Sequence, residues 1–133
     1  MRMASVNKHL EVKRKNESFV KFLDGSGYCE WQITGTFYAG LHLMHAYLHN
    51  QHKVKDQQME NHRKLFGVIG KHCSTEILED YRDLYNQSIL ARYNCISVSS
   101  IRVQYVKEEY KLLNKLCIIN PDESIPPLSL IHI

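Results

Sequence analysis

An all-α fold, an up-and-down bundle of four to five helices, follows from three features of this 133-residue sequence. Its three prolines all lie at or beyond Pro121, so no proline interrupts a helix in the first 120 residues. The β-branched alternation that marks strands is scarce. Long segments with apolar residues at helical spacing are separated by short polar connections, which place successive helices antiparallel.

The first helix is expected from about Ser5 to Leu23, ended by the turn "DGSG" at 24–27. A second runs from about Glu30 to His49. The polar stretch "NQHKVKD" then leads into a third, from about Gln57 to Ile69, with Gly70 as its terminator. Ser74 is a suitable N-cap for a fourth helix reaching Tyr93, and Glu76, Glu79 and Asp80 suit the positive end of its dipole. A last helix runs from about Ile101 to Leu116, capped by Ser97 or Ser99. Residues 1–120 therefore read as a single bundle. Residues 121–133 read as an unpacked tail, whose "LSLIHI" at 128–133 looks like a translated transposon-end sequencing adapter.

Composition narrows the class. Hydrophobic residues make up 44% and charged residues 23%, as in a globular domain rather than a disordered one. No apolar run reaches the roughly 20 residues of a membrane span, and the N-terminal stretch lacks a signal-peptide core, so a cytoplasmic protein with no membrane partner is expected. The four cysteines are scattered without a Cys-x-x-Cys pair and read as buried free thiols. A zinc site built on His72 and Cys73 is an alternative whose spacing is not diagnostic. Residues 1–21 hold six basic side chains against Glu11 and Glu17, leaving the rest of the chain slightly acidic. Such a run reads as a solvated helix face, with phosphate binding as the alternative.

The second helix carries two apolar stripes. Ile33, Phe37, Leu41, Met44 and Leu48 form one; Trp31, Gly35, Tyr38, Ala39, His42, His45, Ala46 and His49 form the other. A helix with so little charge is central to a bundle or buries its second face in a partner subunit. Its three histidines share one side, but adjacent turns cannot close a tetrahedral site and no carboxylate or cysteine shares the stripe. No metal and no cofactor is therefore assigned. Packing is the reading adopted for these rings, and acid–base work by His42 or His45 is the alternative.

On the fourth helix Ile77, Tyr81, Leu84, Tyr85 and Ser88 point inward, and Arg92 continues that stripe. A guanidinium so placed needs a carboxylate, carbonyl or phosphate partner. In the third helix Leu65, Phe66 and Ile69 face the core. His62 and Arg63 are adjacent, so at least one of them faces solvent.

Two segments resemble a known family. "WQITGTFYAGLHLMHAYL" is similar to the second helix of prokaryotic HEPN-like proteins, where a tryptophan precedes a pattern of the type FYAAxH. "YRDLYNQSILARYNC" is similar to the penultimate helix of one uncharacterised branch. The likeness spans roughly residues 5–118. It implies an all-α, often homodimeric bundle linked to toxin–antitoxin, phage-defence or RNA-processing systems. A neighbouring antitoxin or nucleotidyltransferase is an implied partner. Active members are metal-independent ribonucleases carrying Arg, four to six residues, then His. Here Arg92 is followed by "YNCISVSS" without a histidine, and His72 lies too far beyond Arg63. Only Arg2 and His9 fit the spacing, at the N-terminus.

The resemblance thus implies a catalytically degenerate HEPN-like protein that binds RNA, a nucleotide or a protein partner. Tyr38, His42, Arg63, Arg92 and Tyr93 are the ligand-binding candidates. Two alternatives are carried. One is a ribonuclease with a non-standard site, Arg92 holding phosphate while His42 or His45 moves the proton. The other is a purely structural interaction module.

Overall fold

The computed structural model describes residues 2–93 and 98–119. They form five α-helices, with no strand among the described residues: α1 (Arg2–Phe22), α2 (Cys29–His52), α3 (His62–His72), α4 (Thr75–Tyr93) and α5 (Ser100–Leu116). A four-residue 3-10 turn, Asp56–Met59, lies between α2 and α3. None of these helices is long and apolar enough to cross a membrane. The Pro121–Ile133 tail with its adapter-like end, Cys95 and the Ser97 cap lie outside the described residues.

Side-chain pairs fix the helix directions. α1 runs antiparallel to α2, with His9 against His42 and Val20 against Gly35. α5 runs antiparallel to α4, where Tyr105 donates to Asp83 and Arg102 to Gln87. It is also antiparallel to α1, where Tyr110 donates to Glu17 and Lys107 to Asp24. The four long helices therefore make an up-down-up-down bundle, and α3 packs beside α4 through Phe66, Tyr81 and Tyr85.

Four of the five residues in the core stripe of α2 lie where the sequence places them, while Leu41 is half-buried and lines a cleft. Ile33, Phe37, Met44 and Leu48 are fully buried, with Leu65, Ile69, Tyr81, Leu84, Val106 and Leu113 around them. Each such side chain contributes about 1.5–3 kcal/mol by leaving water. The second stripe of α2 is covered by the chain's own α1, so burying that face does not require a partner subunit. Ala46 packs with Val6 and Leu10, and Gly35 lies under Val20 and Phe19. Trp31 does not join this face; it stands 54% exposed at the start of the helix.

The predicted third helix divides in two. The chain makes the turn at Asp56–Met59 and then restarts at α3, with the Asn61 side chain accepting from the Lys64 amide at 2.9 Å. Asn61 is a better N-cap than any earlier residue, because its side chain meets an orphan amide of the first turn. Gly70 does not end α3, which runs on to His72 before Cys73 turns extended. Ser74 and Ser99 cap α4 and α5 as the sequence predicts, accepting from the Ile77 and Arg102 amides.

Charges in the interfaces are paired or perturbed. Lys13 of the basic first helix bridges to the buried Glu17 at 2.8 Å, and Lys15 reaches Glu11 on the surface. Cys29, Cys73 and Cys117 are free thiols; burial pushes Cys73 up to about 11 and Cys117 up to about 12. Between α4 and α5, burial raises Glu109 to about 8, reinforced by its hydrogen bond and proximity to Asp83. Burial likewise lifts Asp80 to about 6.

Two outcomes follow from this packing. At Gly35 an added Cβ would lie 2.8 Å from Val20 Cγ2, whereas at Gly67 nothing lies within 4 Å. Gly35→Leu is expected to destabilise the protein by about 2–3 kcal/mol through overpacking. Gly67→Ala should stabilise it by about 0.5–1 kcal/mol through helix propensity; urea denaturation of both variants measures the contrast. Glu109 binds its proton more tightly folded than unfolded, so its stabilising contribution is full below its unfolded value. That contribution is lost as pH rises through about 8. Thermal melts should show Glu109→Gln gaining on the wild type between acidic pH and pH about 8.

Candidate functional site

The cleft between α2, the 3-10 turn and α3 is built by the way α2 ends. Lys53 adopts the left-handed conformation at φ 57°, and the amides of Lys53 and Val54 both return to the Leu48 carbonyl. This closes the exposed carbonyl end of the helix. Val54 is then buried, and the reversed chain brings Asp56 back beside the last turns of α2. The turn is held by the Lys55 amide, which donates to Gln58 Oε1 at 2.8 Å.

Three histidines meet at Asp56, and a fourth, His42, joins them through His9. His49 Nε2 lies 2.7 Å from Asp56 Oδ1, His9 Nε2 2.9 Å from it and His45 Nδ1 3.5 Å from it. His9 and His42 approach through their Nδ1 atoms at 2.9 Å. The His9 ring also lies against His45 and His49, with centroids 4.7 and 5.7 Å away. His49 is buried, His9, His42 and His45 are half-buried, and the Asp56 side chain is 54% exposed.

Electrostatics separates these groups. Partial burial raises the Asp56 carboxyl, but hydrogen bonds from His49 and His9 outweigh it and hold the group well below the usual carboxylate range. Burial, then the neighbouring His9, pushes His42 and His45 down to about 4, with Asp56 opposing. Both rings are therefore neutral at pH 7.

The cleft holds about 660 Å³ and is lined by His9, Tyr38, His42, His45, Asp56 and His62, among others. At its Tyr38 end stands Arg92. Its guanidinium donates to the Ser88 carbonyl at 3.3 Å, to Ser88 Oγ at 3.4 Å and to the Tyr38 hydroxyl at 3.3 Å. The Tyr38 and Tyr93 rings flank it, with centroids 5.8 and 5.0 Å from Cζ. Nearby, burial and then the Arg92 charge lower the His62 pKa.

Of the residues singled out in the sequence, Tyr38, His42 and His45 thus line one cleft, with Arg92 and Tyr93 at its edge. Arg63 is exposed and stands outside the lining, while its neighbour His62 lies within it. His9 stands out in the sequence only by its spacing from Arg2, and Asp56 not at all. One sits on another helix and the other on a four-residue turn, so no spacing rule connects them to the α2 stripe.

No family model, curated protein or solved structure matches the chain.

Proposed function

We propose that this bundle binds the phosphate of single-stranded RNA or a nucleotide at the Arg92 end of the cleft, without cleaving it. The observation that carries this reading is the state of Arg92. Its guanidinium is half-buried and makes three long hydrogen bonds, all to neutral oxygens. No carboxylate forms an ion pair with it among the described residues. A phosphate supplies the missing charge and two acceptor oxygens in one plane with the guanidinium fork. Tyr93, 65% exposed beside it, offers a ring face on which a base can stack.

The similarity of two segments to HEPN-like proteins supports the same assignment. In that reading the protein acts as a homodimer in a toxin–antitoxin or defence system, beside an antitoxin or nucleotidyltransferase. Exposed Phe22, Tyr28 and Trp31 at the α1–α2 turn supply an apolar patch for a second copy.

Fluorescence anisotropy with a labelled single-stranded RNA tests the proposal. Wild-type protein should bind in a salt-sensitive manner. Arg92→Ala should weaken binding by roughly 10- to 100-fold, the worth of a charge-assisted contact, and flatten the salt dependence. Equal affinity of the two proteins would remove Arg92 from the site. Loss of intact RNA in the presence of EDTA, abolished by the same substitution, would establish a ribonuclease instead.

A further inference from the structure

We propose that His9, His49 and Asp56 form a binding site for one divalent transition-metal ion of the zinc class, with His45 within reach as a fourth ligand. His9 comes from α1, His49 and His45 from α2, and Asp56 from the turn that follows α2. One ligand atom from each of His9, His49 and Asp56 lies within 4.8 Å of the other two. A tetrahedral zinc ion with bonds of 2.0–2.1 Å holds its ligand atoms about 3.3 Å apart. The nitrogen–oxygen pairs stand at 2.7 and 2.9 Å, so they need to open by only about 0.5 Å to admit an ion. Asp56 is exposed on a short turn, where its carboxylate can swing by that amount without moving a helix.

Hydrogen bonding alone accounts poorly for the arrangement. Three ring nitrogens converge on the single oxygen Oδ1, which has two lone pairs to offer. A cation placed between these atoms uses the same lone pairs and lets each imidazole present a bare nitrogen. For His9 the proton then resides on Nδ1 and is donated to His42 Nδ1, 2.9 Å away. That contact gives His42 the task of fixing the tautomer and the ring orientation of a ligand.

The donor set selects the class of ion. Imidazole nitrogens with one carboxylate oxygen suit zinc, cobalt or nickel; magnesium and calcium prefer oxygen alone, and copper(I) prefers sulfur. His9, His45 and Asp56 line the 660 Å³ cleft, so the ion faces solvent, and an exchangeable ligand takes the fourth position where His45 does not. The site is distinct from the Arg92 contact, and its readout requires no RNA.

Tag-free full-length protein, stripped with EDTA and freed of chelator, is titrated near neutral pH with zinc sulfate by calorimetry. A parallel titration with cobalt(II) is followed by visible absorption. One ion per chain should bind, with cobalt bands characteristic of a four-coordinate nitrogen–oxygen site, and zinc should raise the melting temperature. His49→Gln and Asp56→Asn should abolish the cobalt bands. His42→Gln should weaken binding about 10-fold, as loss of an orienting partner does. His72→Gln, which alters the separate His52–His72 ring pair, should leave binding unchanged. Circular dichroism establishes that each variant is folded, and His9→Gln serves in place of either ligand variant that is not. Absence of zinc heat and cobalt bands in the wild type would overturn the site. So would affinity that survives both ligand substitutions or is lost with His72→Gln.

Discussion

The whole arrangement depends on α2 being buried on two sides. Its 24 residues carry one acidic side chain, Glu30, and no lysine or arginine, so neither long face can be left in water without loss. The core stripe packs against α4 and α5, while the second stripe accepts α1 at a distance that only small residues allow. Gly35 sets that distance at one end and Ala46 at the other. Between those two positions His9 of α1 meets His42 and His45 of α2, and the apolar seam turns polar.

That change of character along one seam explains the location of the cleft. Rings with nitrogen donors cannot be buried unpartnered, and the seam itself offers only another histidine, His9. The carboxylate arrives from outside, delivered by the left-handed residue that closes α2 and by the burial of Val54 directly after it. A non-glycine residue in that conformation is uncommon and carries a cost of about 1–2 kcal/mol. Here the same residue closes the helix and aims the chain, so packing and site construction rest on a single backbone feature.

The helices were largely legible because their signals are local. Ser74 and Ser99 cap α4 and α5 as their sequence positions suggest, and the α4 stripe from Ile77 to Ser88 lies inward with Tyr85 half-buried at its margin. The third helix begins and ends later than its spacing predicts, because apolar spacing continues through Met59 to Leu65 and hides a restart that depends on the Asn61 cap. At the candidate site the α2 residues could be found by helical spacing, and Arg92 by its place on an apolar stripe. His9 could not, since its partners lie 33 and 47 residues away in the chain, and Asp56 could not, since it returns to His49 only through the reversal after Lys53.

The sequence by itself determined an all-helical chain, the inward stripes of α2, α3 and α4 and a central α2 with three histidines on one side. These properties are periodic, and periodicity is written in one dimension. Only the tertiary structure decided what covers the second face of α2, which is α1 of the same chain. It also decided that the histidines share a carboxylate and that Arg92 meets a tyrosine and a serine rather than an acid. Those outcomes depend on the α1–α2 register and on the course of the chain after Lys53, where interactions distant in sequence select one geometry from many.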